Sequence, residues 1–153
     1  MKSTKSIKSQ LQNQLIAILE GNALVAKTAI ASAKESRDND TKSSAGDKYE
    51  TGRAMMQIEI ENNEMQLLHA MNQMEELSKI NFDKDYKKIE FGCLVSTSQG
   101  KYYISIGHGK LMIDKDVIYA ISLGSPIGAL LKNKVVGDKV SFQGRDFTIL
   151  EIH

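Results

Sequence analysis

Along residues 1–80, apolar residues recur at alternating steps of three and four. In a first segment the predicted inner positions are Leu11, Leu15, Ile18, Asn22, Val25, Ala29, Ser32 and Ser36. In a second segment they are Tyr49, Arg53, Met56, Ile60, Asn63, Leu67, Ala70, Met74 and Leu77. Such spacing places one residue per turn on a single seam, as in a coiled coil. The pattern therefore predicts two long helices.

The two predicted helices are separated by a polar stretch, residues 37–48, that contains Gly46 and reads as a turn. Because this break lies between the two seams, we predict an antiparallel hairpin within one monomer, with a homodimeric coiled coil as the alternative. Asn22 is predicted to face Asn63, since a paired buried amide fixes register and an unpaired one costs stability. Serine and arginine replace large apolar residues near the turn, so the hairpin should have a polar tip (residues 37–48).

The second half has a different texture, with the only proline and most of the glycines and aromatics. β-Forming residues predict strands at 91–97, 101–107, 117–123, 139–143 and 146–152, the last two joined by a turn at Gly144-Arg145. One short helix is predicted over residues 126–131, with Ser125 as N-cap and Asn133 in the left-handed conformation at its end. The predicted fold class is α+β: a two-helix antiparallel coiled-coil hairpin, then a small antiparallel β domain with one short helix.

Domain boundaries follow from this change of pattern. We predict the hairpin over residues 1–80, a polar linker over 81–89 and a globular domain over 90–153.

Composition narrows the function. The chain has 20 Lys and Arg against 19 Asp and Glu, so a generic basic DNA-binding protein is disfavoured and any nucleic-acid contact should be local or through a protein partner. The single cysteine, Cys93, excludes an intrachain disulfide. Near the N-terminus the apolar residues are interrupted by Gln10, Glu20 and Asn22 among others, which is too polar for a signal or membrane segment. We expect a cytoplasmic protein.

Two sets of residues resemble a known family. The first is Ser125-Pro126-Ile127-Gly128-Ala129-Leu130-Leu131, followed by Val136-Gly137-Asp138. The second, around the tip, is Ala33-Lys34-Glu35, Asp40-Thr41-Lys42, then Ala45 and Tyr49. Both, with the order of domains, resemble the bacterial Gre family of transcript-cleavage factors, in which a coiled-coil hairpin precedes a domain of FKBP-like fold.

The resemblance implies a partner, bacterial RNA polymerase, and only indirect contact with nascent RNA. The hairpin is expected to enter the polymerase's secondary channel, where tip acids help hold Mg²⁺ at the polymerase's own active site. The factor then has no catalytic site and no cofactor of its own. The residues implied are Asp40, Asp47 and Asp38 as tip acids, Ser122, Ser125, Pro126 and Ile127 for docking, and Lys42 and Arg37 for RNA phosphates.

One departure from the family pattern leaves the activity open. Where the family has Glu-Asn after the tip lysine, this chain has Ser43-Ser44. Asp40 matches the first acid, and Asp47 is the candidate replacement for the second. The chain therefore either stimulates cleavage of backtracked RNA or occupies the channel without cleavage.

Other functions are weighed against this one. An FKBP-like prolyl isomerase needs an aromatic pocket, and without tryptophan only tyrosines and Phe142 could line it. A coiled-coil adaptor explains the seam but not the Ser-Pro helix start. A nucleophilic Cys93 with His108 or His153 as base is disfavoured, because Cys93 lies in an apolar strand pattern typical of a buried thiol. Scattered His and Cys show no metal-ligand spacing. The methionines of the second helix are expected mostly to pack in or beside the seam.

Overall fold

The computed structural model describes residues 3–39 and 47–153, with side chains from residue 50 onward in the second range. The helices and strands are α1 (Thr4–Asn39), α2 (Asp47–Ser78), β1 (Leu94–Thr97), β2 (Gly100–Ile104), β3 (Gly109–Ile113), β4 (Asp116–Ile121), α3 (Pro126–Leu131), β5 (Lys139–Phe142) and β6 (Arg145–Ile152). The predicted order, two long helices followed by a small β domain with one short helix, is confirmed.

The chain forms two compact units. One contains Ala17–Glu75, the greater part of both long helices, and the other contains Met1–Ile16 together with Glu76–His153. The second unit therefore joins the β domain to the first turns of α1 and the last turn of α2.

In the Ala17–Glu75 unit the predicted seam of α2 is confirmed from residue 56 onward, where its members are buried or half-buried: Met56, Ile60, Asn63, Leu67, Ala70 and Met74. Nearer the tip, Arg53 is exposed, so its predicted place in the seam is wrong, and the side chain of Tyr49 lies outside the described residues.

The seam of α1 is correct at Leu11 and Leu15, which belong to the other unit. Of its later members, Ile18 and Ala29 are half-buried, and the others are exposed: Asn22, Val25, Ser32 and Ser36. Beyond Leu15 the buried positions are Leu19, Ala23, Ala26, Ile30 and Ala33, one residue further along than predicted.

The physical reason for this error is the spacing of the apolar residues in α1. Two further steps of four follow Leu15, to Leu19 and Ala23, before steps of three return. Such an insertion in the heptad pattern is a stutter, which locally unwinds the supercoil. It buries Ala23 and Ala33 where a strict heptad would bury Asn22 and Ser32, both of which are exposed.

The predicted register is also wrong. Ile30 and Ala33 form an apolar cluster with Ile60, whereas Val25, which a register with Asn22 opposite Asn63 would place against Ile60, is 70% exposed. Asn22 is exposed and Asn63 donates a hydrogen bond from Nδ2 to the carbonyl oxygen of Glu59, at 2.8 Å, within its own helix. The register is therefore set by the Ile30–Ile60 cluster, and no Asn22–Asn63 pair is buried in the seam.

The methionines of α2 divide into two groups. Met56 and Met74 are half-buried, whereas Met55, Met65 and Met71 are more than half exposed. The expectation that the methionines mostly pack in the seam or beside it is therefore correct for Met56 and Met74 and wrong for the other three.

The β domain contains a six-stranded sheet in the order β3-β4-β2-β1-β6-β5. The expected antiparallel sheet is in fact mixed, because β2 and β4 pair in parallel. The cause is β3, a strand that we did not predict. It turns back into β4 through two residues, Asp114 and Lys115, and this hairpin places β4 beside β2. The last hairpin turns at Gln143-Gly144, one residue before the predicted turn, and both residues have positive φ.

The core of the β domain includes part of the predicted linker. Tyr86 and Ile89 are buried with Cys93, Val95, Tyr102, Ile104, Leu131, Val140, Phe147 and Ile149. The backbone of Ile89 also exchanges hydrogen bonds with the segment after α3, accepting from Asn133 N and donating to Lys134 O, both at 2.8 Å. Residues 81–89 are therefore part of the domain.

One finding concerns the composition of α1. By length and composition alone, this helix is apolar enough to cross a membrane, although the sequence reading took its polar residues to exclude a span. The finding is weak evidence, because core helices and signal sequences pass the same test.

Candidate functional site

The described part of the tip comprises the last residues of α1 and the first of α2. Asp38 is largely exposed and pairs with the neighbouring Arg37, with 3.1 Å between Asp38 Oδ1 and Arg37 Nε. Arg37 Nη1 also donates to Gln57 Oε1 on α2, at 2.7 Å. Arg37 therefore ties the two helices together near the tip, and its predicted contact with RNA phosphate stays a prediction.

The other predicted tip residues are not described. Asp40 and Lys42, with Ser43 and Ser44, lie outside the described residues, and so does the side chain of Asp47, at which α2 begins. Within residues 3–39 and 47–153, no group of three Asp, Glu, His or Cys side chains is placed to hold a metal ion.

The predicted docking loop is held by Ser125. Its Oγ donates to the carbonyl oxygen of Ser122 at 2.7 Å and accepts from Gly128 N at 3.0 Å, which caps α3. Pro126 occupies the first turn, where its missing N–H costs nothing, and it is exposed. A Cβ at Gly128 would lie 2.0 Å from the Ser122 carbonyl oxygen, so only glycine fits there.

These contacts separate structural from surface residues in the Ser-Pro-Ile-Gly motif. Ser125 and Gly128 shape the loop, and Ile127 is half-buried against the domain core. Pro126 is the predicted docking residue that presents the most surface. The geometry thus accounts for much of the motif without any partner.

The Gly137-Asp138 element is also a turn. Gly137 has φ of 93°, and Asp138 Oδ2 accepts a hydrogen bond from Val135 N at 2.9 Å. Asn133 has φ of 67°, which confirms the predicted left-handed end of α3.

Cys93 is confirmed as a buried thiol. Its side chain is fully inaccessible, and burial raises its pKa to about 11. The candidate bases, His108 and His153, are both exposed. A neutral, enclosed thiol is a poor nucleophile, so the geometry does not favour cysteine catalysis.

An aromatic groove lies on the β domain, and we define it by Tyr102, Tyr119, Phe142, Phe147, Ile121, Ile127, Gln99, Gln143 and Arg145. Its volume is about 500 Å³. Phe142 and two tyrosines do line a pocket, as the isomerase alternative required. Neither Phe147 nor Arg145 was predicted from the sequence to line this groove; the alternation of apolar and polar residues in β6 was the signal available for Phe147.

Comparison with known proteins gives little beyond the fold. No protein-family model matches the chain, and no curated protein matches it. One similar solved structure is that of the transcription factor Gfh1, at 19% sequence identity over 90% of this chain and 92% of that one, with a TM-score of 0.32.

Proposed function

We propose that this chain is a transcription elongation factor that binds bacterial RNA polymerase and directs its helical hairpin through the secondary channel toward the catalytic centre. The support is the resemblance to the Gre family together with the dimensions of the hairpin. At about 1.5 Å per residue, α1 and α2 are each roughly 50 Å long, which suits reaching a distant site.

The main structural support for this proposal is the composition of the seam. Three alanines, Ala23, Ala26 and Ala33, are buried in the α1 seam, and Ala70 is buried in that of α2. Small residues at a contact between two helices reduce the distance between the helix axes toward the lower end of its usual range, ~8–10 Å. The hairpin is therefore slender, as a narrow channel requires. A helix pair built only to be stable would gain more from leucine at these positions, since larger apolar side chains bury more area.

We further propose that the factor contributes side chains to the polymerase rather than a catalytic site of its own. A tip carboxylate would supply Mg²⁺ with the hard oxygen ligand that it prefers, and the metal chemistry is that of the polymerase. The tip acids are Asp40, Asp47 and Asp38. A cytoplasmic location and a monomeric state belong to the same proposal.

Capture of core RNA polymerase on the immobilised protein tests binding. We expect retention of the polymerase, whereas an isolated prolyl isomerase or a coiled-coil adaptor predicts none. The proposal is wrong if the folded protein captures no polymerase at any salt concentration that keeps the polymerase intact.

The docking loop needs a variant that keeps the domain folded. Ile127→Asp is unsuitable, because Ile127 packs against the core. Pro126→Glu places an acid in the first turn of α3, where its negative charge interacts favourably with the helix dipole. The domain should therefore stay folded. We expect Pro126→Glu to weaken capture, and Leu130→Glu, at an exposed position of the same helix, to leave it unchanged. Equal capture by both variants would remove the loop from the docking site.

A further inference from the structure

Five apolar side chains of α2 form a ridge on the helix surface. We define this ridge by Met55, Ile58, Met65, Leu68 and Met71, each of which is more than half exposed. Steps of three residues join Met55 to Ile58, and Met65 to Leu68 and Met71; residues three apart are neighbours on the surface of a helix. None of the five belongs to the seam with α1. The ridge is therefore a second apolar surface of α2.

Helix stability does not explain why this surface is apolar. Leucine and methionine have about the same helix propensity as lysine, glutamine and glutamate, and isoleucine has a lower one. Exposed apolar side chains contribute no hydrophobic stabilisation until another surface covers them. Single exposed apolar residues are common on protein surfaces, but a contiguous row of them marks an interaction site. The ridge therefore suits contact with another apolar surface.

The ridge lies in an acidic stretch of α2. Residues 54–75 contain four glutamates and no lysine or arginine. Glu61 is three residues from Ile58, and Glu64 is four residues from Leu68, so each glutamate borders the ridge. Neither Glu61 nor Glu64 takes part in an ion pair among the described residues. A partner with positive charges beside an apolar surface therefore complements the ridge in both respects.

We propose that the ridge binds a basic amphipathic helix of another protein. Such a helix has one apolar side, which covers the ridge. The lysines and arginines that flank this apolar side pair with Glu61 and Glu64. Methionine is unbranched and flexible, so Met55, Met65 and Met71 can adapt to apolar side chains of different shapes.

A second copy of the chain is a poor occupant for the ridge. In a symmetric pair the same surface of each copy would face the other, which would bring Glu61 and Glu64 of one copy near those of its partner. Like charges across an interface repel each other. The occupant is therefore a different protein. This site goes beyond the proposed polymerase function and does not rest on it.

The test uses a fluorescently labelled peptide of leucine and lysine, with the leucines at alternating steps of three and four. The full chain is added to the peptide, and fluorescence anisotropy gives the dissociation constant. We expect saturable binding that weakens as the salt concentration rises, because salt screens exposed charges. A peptide of the same composition in shuffled order, which has no apolar side, should bind about tenfold more weakly. A peptide with glutamate in place of lysine should not bind detectably.

Variants of the ridge locate the site. Met65→Gln with Leu68→Gln removes its centre and should weaken binding of the ordered peptide about tenfold, through lost apolar contact. Glutamine is a good helix former, so circular dichroism should show an unchanged helix content. The matched control is Leu24→Gln on α1, at a 65% exposed apolar position, which should bind the peptide as the natural protein does.

Variants of the bordering glutamates test the contribution of charge. Glu61→Gln with Glu64→Gln should weaken binding about threefold, as expected for exposed ion pairs, and should reduce its dependence on salt. The matched control is Glu20→Gln with Glu35→Gln, at exposed positions of α1, which should change neither the affinity nor its salt dependence.

Separate outcomes overturn the proposal. It is wrong if the ordered and shuffled peptides bind equally, or if the variant with both Met65→Gln and Leu68→Gln binds the peptide as the natural protein does. A dimer that sedimentation detects for the natural protein and not for this variant would assign the ridge to a second copy. If this variant loses capture of polymerase and the natural protein ignores the peptide, the ridge belongs to the polymerase interface instead. Capture of polymerase without any binding of the peptide would remove this inference and leave the proposed function intact.

Discussion

Tyr103 on β2 donates a hydrogen bond from its hydroxyl to Gln12 Oε1 on α1, at 3.1 Å, and both side chains are buried. Gln12 Nε2 in turn donates to the carbonyl oxygen of Leu77, at 2.7 Å, on the last turn of α2. One amide thus connects both helices to the β sheet within the Met1–Ile16 and Glu76–His153 unit. Burial raises the pKa of Tyr103, which keeps its hydroxyl protonated as the donor.

The first prediction concerns this link. Tyr103→Phe removes the donor and leaves Gln12 Oε1 buried without that partner, which should cost about 1–2 kcal/mol of unfolding free energy. Gln12→Leu should cost a similar amount or more, because it removes the acceptor of the Tyr103 hydroxyl and also the shorter of the two hydrogen bonds to the Leu77 carbonyl oxygen, which then accepts only from Ile80 N. Urea unfolding measures both.

The double variant gives the control for that experiment. Tyr103→Phe with Gln12→Leu should lose less than the sum of the two single losses, since neither partner is then left behind. Additive losses would show that the hydrogen bond does not couple the two residues.

The second prediction concerns the seam. Ile30→Ala should lower the unfolding free energy by about 2 kcal/mol, the low end for a buried isoleucine because the hairpin is thin. Val25→Ala, at a 70% exposed position, should change it by no more than about 0.5 kcal/mol. Thermal unfolding followed by helix circular dichroism compares the two. A larger loss of unfolding free energy for Val25→Ala than for Ile30→Ala would support the strict heptad register, which the structure excludes.

The third prediction concerns Cys93. Burial raises its pKa to about 11, so the folded protein should react with iodoacetamide near pH 8 far more slowly than the chain in urea. The unfolded thiol releases its proton first, near its ordinary pKa of 9.0. The contribution of Cys93 to stability should therefore fall as pH rises from 9.0 toward about 11.

A matched variant isolates that effect. Cys93→Ala has no proton to lose, so its stability should fall less over the same pH range. Rapid alkylation of the folded natural protein would show that the thiol is accessible.

The fourth prediction concerns the tip. If Asp40 and Asp47 assist cleavage, Asp40→Asn and Asp47→Asn should keep polymerase binding within about 1 kcal/mol, as for surface changes. Cleavage of RNA in stalled complexes should fall by a large factor, because a carboxylate ligand for Mg²⁺ is lost. Asp38→Asn should have a smaller effect, since Asp38 already pairs with Arg37.

The rival outcome is defined by Ser43. If the chain only occupies the channel, the natural protein gives no cleavage and Ser43→Glu, which restores an acid where the family has one, gains it. Strong cleavage that survives Asp40→Asn and Asp47→Asn together would contradict the assignment of both acids.

Sequence pattern was sufficient for the helices, for α3 and for most strands, because these depend on local periodicity and capping. It was insufficient where two patterns compete. From Leu19 onward, the seam positions expected from a strict heptad and from a stutter differ by one residue, and only packing against α2 decides between the two. The short strand β3 was missed because Leu111 and Ile113 alternate over too few residues to stand out.

The candidate site was predictable to a smaller extent. Ser125 and Asn133 have the conformations expected from their residue types. The requirement for glycine at residue 128 was not predictable, because it depends on the approach of α3 to the Ser122 carbonyl. The aromatic groove brings together residues from β2, β4, α3 and the β5–β6 hairpin. Because these residues are far apart in the sequence, no local sequence pattern predicts that they lie together.

The central claim is that the tip reaches the catalytic centre of RNA polymerase. Because Cys93 is the only cysteine and is buried, Ser43→Cys creates one accessible thiol to which an iron chelate can be attached. In the complex with core polymerase, hydroxyl radicals from the tethered iron should cut the polymerase chains at the segments that form its active site. A control chelate at Leu150→Cys, on the β domain, should cut elsewhere. If the Ser43→Cys conjugate binds polymerase and cuts only at its outer surface, the hairpin does not enter the channel and the account is wrong.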